Sequence, residues 1–260
     1  MLVVTCALIV GCSAGGASPR SAAQLATRDA AEFTAIRAAV AALDRSEADR
    51  ALDAGRRPAD VLAFFGIHEG MRVAELGVGG GYTSELLARV VGPTGGVYSQ
   101  NSPFVLKRFA EAPWSDRLRK PVMHNVVRLD REFDDPLPAD VHDLDAVVMM
   151  LIYHDTVWLK VDRMQMNEAV FRALRPGGAF GIVDHSARDG AGISQVQTLH
   201  RIEESVVRQE VEAAGFQLAA TADILRNPAD ARDWNDSPVA AGDRRGTSDR
   251  FVLRFVKPKS

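Results

Sequence analysis

The sequence predicts an α/β fold built on a parallel sheet, with helices placed ahead of it. Three observations carry that expectation. From Met71 onward, short apolar runs alternate repeatedly with amphipathic segments, the pattern of successive strand–helix units. The runs are nearly continuous in apolar residues, as strands buried on both faces must be; "DAVVMMLIY" carries no charge after Asp145. The first run, "RVAEL", leads directly into a glycine-rich turn, "GVGGGY", with four glycines in five residues.

The elements follow in order. From Ser21 to Ala54 the chain is Ala-rich, and Leu25, Phe33, Ile36, Val40 and Leu43 recur at helical spacing. Ser46 followed by Asp49 suits the start of a second short helix. In "RRPADVLAFFGIHEG", Pro58 fits a first helical turn and Gly66 a stop. After "RVAEL", "YTSELLARVVG" reads as a helix ending at Gly92. "GGVYSQ" is a second strand, "PFVLKRFAEAP" a helix, and "PVMHNVVRL" contains a third strand. "DAVVMMLIY" is the fourth strand, "DRMQMNEAVFRALRPGG" a helix, and "AFGIVDH" the fifth strand. "TLHRIEESVVRQEVEAAGF" reads as one long amphipathic helix with Gly215 near its end. "QLAATADIL" and "SDRFVLRFVK" finish the chain as strands. Between them, residues 226–249 form a long polar insertion, of the kind that either closes over a site or stays a solvated connection.

Composition bounds the function. The 260 residues, 47% hydrophobic and 25% charged, suffice for one large domain or a domain with an appendage. A formal net charge of -3 with 7% aromatics offers no case for nucleic acid as a partner. No apolar run reaches the length of a spanning helix. Both cysteines, Cys6 and Cys12, fall in the first dozen residues. The body of the chain therefore has no disulfide, thiolate zinc site or Cys nucleophile. The opening "MLVVTCALIVGCSAGGASP" fits the apolar core of a signal peptide. Its Gly11-Cys12 ending resembles a bacterial lipoprotein signal, which implies an exported, membrane-anchored or periplasmic chain lipidated at Cys12. A misassigned start, leaving a cytoplasmic protein, is the alternative, since no basic residue precedes the apolar core. The expected organisation is a leader and linker at 1–20, a helical cap at 21–57 and the main domain at 58–260.

In a doubly wound sheet, ligands bind at the carboxyl ends of the strands beside the first one, which is where "ELGVGGGY" lies. Glycines there let backbone approach a ligand, and amides opening a helix favour polar or anionic groups. The dinucleotide fingerprint G-x-G-x-x-G would require Gly at position 82, which is Tyr82. The residues present are Glu75, Gly77, Gly79 and Gly81 at alternate positions. This spacing resembles the first motif of class I S-adenosylmethionine-dependent methyltransferases. The resemblance continues in order through "FRALRPGGAFGIVD", "EVEAAGF" and "RFVLRFVK", over about residues 58–257. "RPADVLAFFGI", "YHDT" and "VDHSA" are further similar to a group of predicted bacterial methyltransferases, several with secretion signals.

The resemblance implies a Rossmann-like seven-stranded mixed sheet whose last strand is antiparallel. It implies S-adenosyl-L-methionine as cofactor and a small-molecule methyl acceptor. The glycine loop would face the methionine part, and Glu75 would hold the loop or reach the amino group through water. Asn101 occupies the position of the family's ribose-binding acid, and Asp130 that of the acid receiving the adenine amino group. An amide at 101 forgoes the charge-assisted bond of a carboxylate. Arg56 or Arg57 would close over the cofactor carboxylate, or form a solvated pair.

Two strand tips carry the candidate reaction centre: Tyr153, His154 and Asp155 after the fourth, and Asp184, His185 and Ser186 after the fifth. His200 follows near the next helix. Methyl transfer needs an aligned nucleophile and, for some acceptors, a base. His154 or His185 could be that base, with Asp155 or Asp184 orienting the ring. Asp155, Asp184, His185 and His200 could instead hold a divalent metal, and histidine ligands tilt such a site from magnesium toward zinc, iron or manganese. Helix capping is the third reading. At the level of function, a non-catalytic ligand-binding protein and a metal-dependent enzyme stand as alternatives to a methyltransferase.

Overall fold

The computed structural model describes residues 22–259, with side chains from Ala30 onward. The expected leader at 1–20, with Cys6 and Cys12, lies outside the described residues. Three helices lead: α1 (Ala22–Val40), α2 (Glu47–Arg56) and α3 (Pro58–Phe65). Ser46 caps α2, its side chain accepting the Asp49 amide. Pro58 opens α3, and Gly66, at φ 75°, ends it in the left-handed conformation that favours glycine. No helix among the described residues is long and apolar enough to cross a membrane.

Seven strands follow in one sheet: β1 (Arg72–Leu76), β2 (Gly96–Asn101), β3 (Val126–Asp130), β4 (Leu144–Met150), β5 (Leu174–His185), β6 (Gln217–Ala222) and β7 (Arg250–Val256). Their spatial order is β3-β2-β1-β4-β5-β7-β6. β1 to β5 pair in parallel, and β7 runs antiparallel to both β5 and β6. The mixed sheet with its antiparallel last strand is thus present. Successive strand residues face opposite sides. Val73, Ala146 and Val148 pack with α3 and with α4 (Tyr82–Val91) on one face. Ala74, Val147 and Met149 pack on the other with α8 (Arg163–Ala173) and α9 (Glu204–Ala213). Because the chain runs outward through β2 and β3 and returns to β4 on the far side of β1, a crevice opens at the carboxyl ends of β1 and β4.

Three elements differ from expectation. The segment after β2 is one broken helix: α5 (Pro103–Val105), a π-helical turn at Leu106–Ala110, and α6 (Glu111–Leu118). β5 starts directly after α8, and Pro176-Gly177-Gly178 forms an irregularity in its pairing with β4 instead of a helix end. The expected long helix from Thr198 shrinks to α9. Ile202 is drawn into a bridge with Ser186, and the buried Arg201 guanidinium binds Asp230 at 2.8 Å, so the backbone before Glu204 cannot coil.

The leading helices are fastened to the start of α4. Tyr82 Oη donates to Asp53 at 2.6 Å, and Arg45 binds the same carboxylate. Arg117 of α6 spans Asp49 of α2 (2.6 Å) and Glu85 of α4 (2.5 Å). Beneath α4, Glu75 is buried and accepts from Ser84 Oγ at 2.5 Å; Ser84 in turn meets Ser99 at 2.8 Å. Burial pushes the Glu75 carboxyl up to about 7, against the hydrogen bonds from Ser84 and Thr83. A folded-state value above the ordinary one means that protonation favours folding. The contribution is complete below the ordinary range and is lost as pH rises through about 7. Glu75→Gln should remove this dependence. Unfolding free energies of the two chains should diverge by about 3 kcal/mol in favour of Gln between about pH 4.5 and 8. Denaturant titrations at both ends check this; parallel pH profiles would refute the buried, protonated carboxyl.

Candidate active site

β1 ends in the glycine loop. Gly77, Gly79 and Gly81 have φ of 72°, 57° and 86°, a region L side chains rarely occupy. The Gly77 and Val78 amides both donate to the Gln100 carbonyl, at 2.9 and 3.1 Å. Among the described residues Gly79 is held by Asn101 alone: its amide donates to Oδ1 at 2.8 Å, and its carbonyl accepts from Nδ2 at 3.1 Å. Both polar atoms of the fully buried Asn101 side chain therefore engage the loop. The amide at this position serves as a clasp, a role open to Asn because it donates and accepts at once. Asp130 stands opposite Asn101 in the β2–β3 register, half-exposed, with its carboxylate paired with Arg128 at 2.7 Å. Glu75 points beneath α4, toward Ser84.

Space over the loop is uneven. A Cβ at Gly77 would sit 2.6 Å from Ile152, and one at Gly81 would sit 2.5 Å from Trp114. At Gly79 it would meet nothing within 4 Å. The Gly79 flank is open, whereas Gly77 and Gly81 are glycine because neighbouring side chains lie against them.

Beside α4's first turn is a narrow cavity of about 20 Å³, lined by Arg56, Arg250, Leu62, Met150, Tyr82 and Leu225 among others. The Arg56 guanidinium stacks 4.4 Å over the Tyr82 ring and forms no ion pair among the described residues. Burial lowers its pKa. Arg57 is exposed and pairs with Asp60 at 2.9 Å.

The tips of β4 and β5 bring His154, Asp155, Asp184, His185 and His200 together. α7 (Tyr153–Trp158) starts just past β4. Asp184 is fully buried and accepts three hydrogen bonds: from the His154 amide (2.7 Å), from His154 Nδ1 (2.6 Å) and from the His185 amide (2.8 Å). His154 Nε2 lies 3.2 Å from Asp155 Oδ1 but makes no hydrogen bond. Asp155 is fixed by Trp158 Nε1 at 2.7 Å. The His200 ring lies 4.1 Å from that of His154, and its Nδ1 is 3.7 Å from Asp155. His185 faces away, toward Ser248 Oγ (3.0 Å) and the Asp236 carboxylate.

The His154 ring differs in charge from the other two. Burial opposes charge on His154, but Asp184 and Asp155 hold its pKa up to about 10. Burial and the neighbouring His154 push His200 down to about 4. Burial also lowers His185. Of the two rings first considered as bases, His154 is already protonated at neutral pH. His200, neutral and one-fifth exposed, is the ring free to take a proton.

Asp236 and Ser248 escaped the sequence reading. Both lie in the polar insertion, which folds over β5 through Asp230, Trp234 and Asp249. Only the insertion's length hinted at this.

No model of a known protein family matches the sequence. Solved structures do match the fold. An S-adenosylmethionine-dependent methyltransferase from Aquifex aeolicus is 20% identical, with 76% of this chain and 88% of that one covered, at a TM-score of 0.54. The (4+2) cyclase SpnF is 18% identical over 90% and 95% of the two chains, at 0.56. An arsenic(III) S-adenosylmethionine methyltransferase from Chlamydomonas reinhardtii is 19% identical over 86% and 73%, at 0.52. The chain therefore has the fold seen in S-adenosylmethionine-dependent methyltransferases.

The Asn101 clasp is open to a direct test. Asn101→Asp places a carboxylate oxygen against the Gly79 carbonyl and removes its donor. It should lower unfolding free energy by about 1–3 kcal/mol. An unchanged denaturation midpoint would show that Asn101 is not committed to the loop.

Proposed function

We propose that this chain is an S-adenosylmethionine-dependent methyltransferase acting on a small acceptor. The observation that carries the reading is the left-handed glycine loop at the crevice between β1 and β4, open over Gly79. Arg56 supports it: a half-buried cation with no ion pair among the described residues, beside the start of α4, suits the carboxylate of an amino-acid moiety. The residues fit the methionine end of such a cofactor. Asp130 would receive the adenine amino group, and the ribose would rely on backbone, since Asn101 is engaged. When bound, the cofactor supplies an electrophilic methyl group. His200 would accept a proton from the acceptor, and the buried cluster behind it excludes water. Phe104, exposed and edge-on to both Phe109 and Trp158, suits an apolar acceptor next to Asp155.

A second reading is a different reaction, or ligand binding alone, on the same fold. The commitment of Asn101 to Gly79 favours it, and a cyclase shares the fold. Calorimetry with S-adenosylmethionine and with its demethylated product separates the two. The proposal expects both to bind, and Arg56→Gln to weaken both by about tenfold. No heat and no thermal shift at millimolar ligand would overturn it.

A further inference from the structure

We infer that His154, Asp155 and His200 form a binding site for one divalent transition-metal ion of the zinc, iron or manganese class. The inference goes beyond the methyltransferase reading and does not depend on it; with an ion bound, His200 is a ligand and is no longer the free base of that reading.

Geometry supports it first. One donor atom from each of the three residues lies within 4.8 Å of the other two. Ligands sharing a metal at bond lengths near 2.1 Å stand about 3.3 Å apart, and His154 Nε2 and Asp155 Oδ1 already stand at 3.2 Å. Small side-chain movements of the partly exposed His200 complete the set.

The second observation is independent of the cluster. His154 is fully buried, yet its Nε2 makes no hydrogen bond. Its ion-pair neighbour is Asp155 Oδ1 at 3.2 Å, and a buried polar nitrogen left without a well-formed hydrogen bond is costly and uncommon. Nδ1 is committed to Asp184, so Nε2 is the atom directed at Asp155 and His200, and a bound metal ion would replace the proton that Nε2 carries at neutral pH. A ligand imidazole whose other nitrogen is held by a carboxylate is a recurring arrangement at metal centres, because the carboxylate fixes the ring and raises its basicity. Asp155 has its own support in Trp158 Nε1.

The structure also changes the set suggested by spacing alone. Asp184 cannot be a ligand while its two oxygens accept three hydrogen bonds, so it is a positioning residue. His185 directs Nδ1 at Ser248 and Asp236, and its ring lies 6.3 Å from that of His200. Two imidazoles and one carboxylate favour a borderline ion over magnesium. They also leave coordination positions open on the side of His200.

The test uses the full-length, tag-free chain, stripped of metal and dialysed against Zn²⁺, with bound metal measured by mass spectrometry. Wild type should retain one equivalent. His200→Ala and Asp155→Asn should each weaken binding by at least about 100-fold, and Asp184→Asn by about 10–100-fold. Circular dichroism confirms that each variant is folded. Co²⁺ substitution adds a readout that a purely structural role would not move: a visible ligand-field spectrum present in wild type and absent in His200→Ala. Equal zinc affinity in wild type and the two ligand variants would overturn the site, as would a wild type that retains none. Dialysis contains no S-adenosylmethionine, so failure here leaves the cofactor reading standing, and failure of the cofactor reading leaves the metal site standing.

Discussion

One buried carboxylate, Asp184, organises the site. An ionisable group removed from water costs several kcal/mol, on the order of 3–5, unless hydrogen bonds replace its hydration. Three donors do so here, and all come from the two strand tips. The consequences spread outward. The His154 ring cannot turn, so its Nε2 faces Asp155 and His200. The first turn of α7 is tied to the end of β5. Ile152, immediately before that turn, lies against Gly77. A single side chain at the end of β5 thereby links the His154–Asp155–His200 cluster to the glycine loop.

The loop itself is held from three directions. Gln100 takes the first amides, Asn101 clasps Gly79, and Trp114 with Arg117 covers Gly81. Tyr82 then fastens the leading helices to the loop through Asp53. This arrangement places the N-terminal helices against the loop, and α2 delivers Arg56 to the cavity beside α4. At this loop the groups open to a ligand are the Gly79 flank and Arg56, while the amide after β2 is committed to the loop itself.

The sheet was legible in the sequence because strands buried on both faces must be apolar along their length, as Ala146 to Met149 are. Helix ends were legible where one residue type dominates the chemistry, as at Ser46, Pro58 and Gly66. The segment before α9 was not, since Leu199 and Ile202 keep helical spacing while burial of Arg201 forces an extended backbone. At the site, the five clustered residues stood out by type and by their position at strand tips. Their individual roles did not, because these depend on which atom faces which neighbour. Asp184 and Asp155 are equivalent on paper, yet one is enclosed by backbone amides and the other faces two imidazoles. Asn101 likewise read as a weakened ribose ligand until its two bonds to Gly79 were visible. Asp236 is 52 residues from Asp184 in a polar loop, and no local pattern marks it.

The most direct test of the Asp184–His154 arrangement is nuclear magnetic resonance of the chain labelled with ¹⁵N-histidine. The structure predicts that Nδ1 of His154 carries a slowly exchanging, hydrogen-bonded proton throughout the range from about pH 5 to 8. A His154 whose Nδ1 is unprotonated within that range would contradict it.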